Sequence, residues 1–169
     1  MATAFPDAAQ FHRPDPLDTI EQLMLSRGWG YERVGDEEIT GSITGKWCEF
    51  HLRFFCPEEG RALQCGCMFD MRIPDAKRAQ AYELLALVNE RLWVGHFEAW
   101  MDDGVVMYRH ASLLDEFTTG VSPEVLETLV DAAINECERY YPAFQFVLWA
   151  GRSPKEAMET ALLEPVGEA

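Results

Sequence analysis

The sequence predicts an α+β fold, an antiparallel β-sheet with helices packed on one face, and three observations carry that prediction. Over residues 31–73 apolar side chains recur at every second position, the period of strands covered on one side only. On either side of that region, residues 17–24, 81–92 and 125–141 space their apolar residues for helices with one buried stripe. Between the second and third helices, Phe97 to His110 reads as a hairpin around Asp103-Gly104. The resulting order is helix, three or four antiparallel strands, helix, two strands, long helix, short helix, in its minimal form α-β-β-β-α-β-β-α.

The chain has 169 residues, which suits one domain with its own core. Residues 1–14 show no periodicity and read as a flexible N-terminal arm. Residues 15–169 read as a single domain that includes a C-terminal helical tail. Fourteen basic residues against 29 acidic ones leave a net charge of -15. A field of that sign repels phosphate backbones and anionic lipids, so neither nucleic acid nor a membrane surface is expected as partner. No run reaches the roughly 18–20 apolar residues of a membrane span. The start, Met1-Ala2-Thr3-Ala4-Phe5, lacks the basic and apolar regions of a secretion signal. With the scattered cysteines Cys48, Cys56, Cys65, Cys67 and Cys137, it predicts a cytoplasmic protein with reduced thiols.

Taken in order, Asp15 can cap the first helix, Pro16 suits its first position, and Gly28 can stop it. Tyr31 to Val34 and Glu38 to Ile43 are weak strand signals. From Lys46 to Cys56 the alternation is strong, with Cys48, Phe50, Leu52, Phe54 and Cys56 on one face and Trp47, Glu49, His51, Arg53 and Phe55 on the other. Pro57 to Gly60 reads as a turn, and Ala62 to Met71 repeats the alternation. Pro74-Asp75 opens the second helix. The hairpin follows, with Phe97, Ala99 and Met101 facing the core, His96, Glu98 and Trp100 facing outward, and Asp103-Gly104 as a two-residue turn. Ser122-Pro123-Glu124 starts the long helix, whose stripe runs from Val125 to Tyr141. A kink or break is expected at Pro142. Ser153 and Glu156 form a capping box for the last helix.

Cys65-Gly66-Cys67 is the most metal-like feature, since both thiols of a strand pair at this spacing point the same way. That way is also the face of Leu63 and Phe69, so core packing is the expectation and no metal is predicted. His51, His96 and His110 with Glu49 or Glu98 are the alternative sheet-face cluster for metal binding or acid-base work. No phosphate loop, dinucleotide glycine pattern or nucleophile elbow is present, so no catalytic residue and no cofactor are predicted. Trp47, Phe55 and Trp100 instead mix with charged residues on the face opposite the core, the composition either of a binding or dimer surface or of a face that Phe5 to Pro14 or the C-terminal helix covers. The tail carries Phe144, Phe146, Val147, Leu148, Trp149, Met158, Leu162 and Leu163, an apolar load that predicts either packing at home or burial in a homodimer, with the homodimer favoured.

The stretches Trp93-Val94-Gly95-His96-Phe97, Val105-Val106-Met107-Tyr108-Arg109-His110 and Cys137-Glu138-Arg139-Tyr140-Tyr141-Pro142-Ala143-Phe144-Gln145 resemble the YbjN family. The ending Gly151 to Ala157 with Ala161 to Glu164 resembles it as well. The resemblance implies a fold similar to type III secretion chaperones and the role label of a sensory transduction regulator, and it carries over no catalytic or binding residues. The expected function is a non-enzymatic cytoplasmic interaction module, chaperone-like or regulatory, acting as a homodimer on a protein partner. Trp47, Phe55, His96, Glu98 and Trp100 are the expected partner-binding residues. The alternatives are a small-molecule or metal-binding sensor or enzyme using the sheet-face histidines and cysteines, and a purely structural subunit of a larger complex.

Overall fold

A computed structural model describes residues 15–57, 62–100, 102–114 and 122–163. The expectations for the N-terminal arm, for residues 58–60 of the turn and for Met101 lie outside the described residues. The elements run α1 (Pro16–Ser26), β1 (Gly30–Val34), β2 (Glu38–Thr44), β3 (Glu49–Phe55), β4 (Ala62–Arg72), α2 (Arg78–Asn89), β5 (His96–Trp100), β6 (Val105–Leu113), α3 (Pro123–Leu148) and α4 (Pro154–Leu163). Four strands precede α2, the longer of the two predicted orders. All six form one antiparallel sheet in the order β1-β2-β3-β4-β6-β5.

Helix ends follow their local chemistry. The Asp15 side chain accepts from the Leu17 N–H at 2.9 Å. Gly28 takes a positive φ of 67°, and Trp29 N–H reaches back to the Met24 carbonyl, which closes α1 as a Schellman motif. Ser122 caps α3 through the Val125 N–H, and Ser153 with Glu156 caps α4 reciprocally.

Every side chain that the sheet contributes to the core cluster comes from one face: Ile39, Phe50, Leu52, Phe54, Leu63, Cys65, Cys67, Phe69, Phe97, Val106 and Tyr108 among them. Against that face lie α1, α2 and α3, with α4 over α2 and α3. Phe69 is the hub, its ring 5.2–6.0 Å from those of Tyr141, Phe144, Phe97 and Phe50. Two arginines fasten α1. Arg27 pairs with Asp131 and Glu127 of α3, while Arg33 of β1 pairs with Asp15, Asp18 and Glu21.

Three expectations need correction. Helix α3 runs through Pro142 as one element, so a break does not occur there and the helix continues to Leu148, as expected for the residues beyond the proline. Proline removes the N–H that would bond the carbonyl four residues back, at Glu138. That carbonyl accepts instead from the Trp47 indole N–H at 3.0 Å, so the chain loses no partner and the helix has no reason to stop. The hairpin turn is not a two-residue one, because Trp100 pairs with Val105 and four residues lie between them. Gly104 sits in that loop at φ 68° and accepts a bond from Ile73 N–H at 2.8 Å, so a contact with the end of β4 overrides the local turn preference. Finally, Val125 is exposed in the first turn of α3, where the neighbouring Leu126 takes the core-facing position instead.

The tail's apolar load is largely buried within the same chain: Phe144, Val147, Leu148, Ala157, Met158 and Ala161 belong to the one core. Those residues are buried at home, while Trp149 of the same tail stays exposed.

Candidate functional site

Residues paired across antiparallel strands share a face. One lateral row on the side away from the helices runs Thr40, Arg53, Gly66, Arg109 and His96 across five strands. The next row runs Ser42, His51, Met68, Met107 and Glu98. Among the described residues no helix covers this face, since all helix–sheet packing falls on the other.

Gly66 is the low point of the first row. With no side chain between Arg53 and Arg109, it leaves a hollow of about 40 Å³, walled by Phe55, Met68, Trp100 and Met107. A Cβ at Gly66 would meet only ordinary contacts, so the gap is unfilled space rather than a requirement of the backbone. Met107 is 3% exposed yet stands outside the core cluster, because its cover comes from these neighbours. Trp100 is 43% exposed.

The charges around the hollow are paired. Glu98 accepts from the Trp100 indole at 2.9 Å, pairs with Arg109 at 3.2 Å, and lies 3.5 Å from the His96 Nε2. Arg53 makes a two-armed contact with Glu38 at 2.8 and 2.9 Å and stacks its guanidinium 5.5 Å from the Phe55 ring. Arg53 holds the Glu38 carboxyl below its ordinary range, chiefly through that hydrogen bond. The result is an apolar floor framed by charge pairs, suited to burying a partner's side chain.

Of the five expected partner-binding residues, Phe55, His96, Glu98 and Trp100 come together here. Trp47 does not. It precedes the start of β3 at Glu49 and turns to the helical side, where its indole bonds Glu138. There, with Lys46, Asn135, Glu138, Arg139 and Pro142, it lines a separate open cleft of about 620 Å³. Reading the residues alone missed Gly66, Met68 and Met107. An isolated glycine inside a strand is the one local signal that pointed to the notch.

The alternative cluster is not assembled. His110 pairs with Cys65 and so lies on the covered face, half-buried, while His51 and His96 lie on the open one. Burial and the nearby His96 push the His110 pKa down. Cys65 and Cys67 point into the core, where the Cys137 thiol lies 3.7 Å from the Cys67 carbonyl. Burial pushes Cys65, Cys56 and Cys137 up, and Cys48 up to about 11, which disfavours the nucleophilic thiolate. Among the described residues no three His, Cys, Asp or Glu side chains are grouped to hold a metal ion, and no helix is long and apolar enough to cross a membrane.

Comparison with known proteins adds the following. The family model of YbjN, described as "Putative bacterial sensory transduction regulator", matches residues 16–146. That span includes the sheet and most of α3 and stops short of α4. No curated protein matches the chain. Among solved structures, it is similar to the crystal structure of YbjN from E. coli, described as "a putative transcription regulator". The TM-score is 0.52 at 11% sequence identity, over 72% of this chain and 85% of that one. At that identity the likeness is one of fold.

Proposed function

The chain belongs to the YbjN family, and we propose that it is a non-enzymatic cytoplasmic regulator that recognises a protein partner on the open face of its sheet. One observation carries the reading. The face away from the helices holds an apolar hollow at Gly66, walled by Phe55, Met68, Trp100 and Met107 and framed by fixed ion pairs, and no described helix covers it. A surface with an aromatic, depressed centre and a charged rim has the anatomy of an interface. The family's role label agrees with binding rather than turnover.

The test is comparative capture from the native cell. Phe55→Ala and Trp100→Ala should each lose a partner that the wild type retains, while Trp149→Ala, an exposed tryptophan at the end of α3, should retain it. Equal recovery by all three variants would sink the reading. A second use of the same face is a homodimer. Sedimentation decides between them: a dimer that Trp100→Ala dissociates assigns the face to a second copy.

A further inference from the structure

The sheet has two edges, β1 and β5, and they are not equivalent. An edge strand offers unpaired N–H and C=O groups to any extended chain. On β5 that offer is withdrawn. Asn89, the last residue of α2, places its carboxamide against the outer side of β5, accepting from the Phe97 N–H at 2.8 Å and donating to the Phe97 carbonyl at 2.9 Å. The amide stands in for the peptide group of a neighbouring strand. Outward-pointing backbone groups fall on alternate residues, so each of these five-residue edge strands has few to offer; on β5 they are those of Phe97 and Ala99, and the first is taken.

On β1 nothing comparable occurs among the described residues. Its Arg33 side chain is drawn to α1 on the covered face, leaving the edge without a side-chain plug. Beside the edge, on the open face, lies a hollow of about 360 Å³ lined by Gly30, Glu32, Thr40, Ser42, Glu49 and His51. Small side chains make the depression and two exposed carboxylates border it, with His51 the one group there able to carry positive charge. A second copy of β1 is a poor occupant. Two-fold antiparallel pairing about the central residue sets Glu32 opposite Glu32, and like charges directly opposed destabilise a pair.

From the plugged β5 edge, the β1 edge that no described side chain plugs, and the acidic hollow beside it, we infer that β1 is the docking edge and that its occupant is an extended, lysine- or arginine-bearing segment of the partner protein. That segment adds as a seventh strand beside β1, with its open-face cationic side chains next to Glu32 at the near rim of the hollow. This rests on the reading that the chain recognises a protein, and it names the edge and the chemistry of what is recognised.

The probe is a blocked heptapeptide alternating lysine and valine, titrated into the ¹⁵N-labelled full chain. Saturable amide shifts are expected in Gly30–Val34 and in β2, with His96–Trp100 unmoved. Methylating every peptide amide nitrogen should abolish the shifts, and Glu32→Lys should weaken binding about tenfold. An absence of binding, equal binding of the methylated peptide, or shifts centred on β5 would each overturn the inference. Trp100→Ala, which tests the open face, should leave the titration unchanged. A failed titration with Trp100-dependent capture intact therefore rejects the docking edge alone.

Discussion

Phe69 and Gly66 lie three residues apart on one strand and show how differently the two faces of the sheet are built. Around Phe69 four aromatic rings close in at 5.2–6.0 Å, and nothing is left open. Around Gly66 the flanking residues are two arginines, each held by a carboxylate, and the centre is a hole. The first arrangement gains by excluding water from apolar area. The second leaves apolar atoms of Met68 and Trp100 beside solvent and pairs the charges around them. The difference separates residues that hold the fold from residues that the fold holds ready.

Substitutions should divide along the same line. Phe69→Ala should be the most damaging, at about 3–5 kcal/mol of unfolding free energy in a denaturant titration, since it empties the hub of the ring cluster. A loss under about 1 kcal/mol would show that the covered face is not organised around it. Next comes the bond between Trp47 and α3. Trp47→Phe should cost about 1 kcal/mol by stranding the Glu138 carbonyl. In the Pro142→Ala background, where position 142 regains an N–H, the same change should cost nearly nothing. A double-mutant cycle reads the coupling, and additivity would refute the exchange of one donor for the other.

On the open face the effects should be smaller. Arg53→Gln should cost about 0.2–1 kcal/mol at neutral pH and low salt, because both partners of the Glu38 pair are partly exposed. Glu38 has a depressed pKa in the folded chain, so its contribution is present above the ordinary carboxylate range and disappears as pH falls through the folded value. Wild type and variant should therefore converge in acid, and a gap that persists there would assign the cost to packing on Phe55 instead. Smallest of all, Trp100→Ala should change stability by about 0.5 kcal/mol while removing partner capture. A destabilisation on the scale of Phe69→Ala would mean that Trp100 supports the fold rather than a surface.

What could be read from the residues was whatever depends on period. The core face of β3 and β4 follows from alternation, and the capped helix starts follow from Asp15-Pro16, Ser122-Pro123 and Ser153 with Glu156. What could not be read depends on where a period begins and on what lies alongside. Trp47 was placed on the open face by counting alternation from Lys46. The strand begins at Glu49, and in the bend before it parity means nothing. His110 was grouped with His96, although only the register between β4 and β6 reveals that it shares a face with Cys65. The Gly66 notch is wholly non-local, with walls from β3, β4, β6 and the end of β5, so no window of sequence contains it. The Asp103-Gly104 turn signal was overridden for a similar reason, by the bond from Ile73 N–H at the end of β4 to Gly104.

The bond between Trp47 and Glu138 has a consequence for how the chain reaches its native state. Its ends lie 91 residues apart, so it closes only when the β2–β3 connection and the middle of α3, made from distant parts of the chain, have found each other. Until then α3 carries a carbonyl that its own proline has deprived of a donor, and the helix is weakest at its centre. Folding of the second half of α3 is thereby tied to assembly of the first half of the sheet.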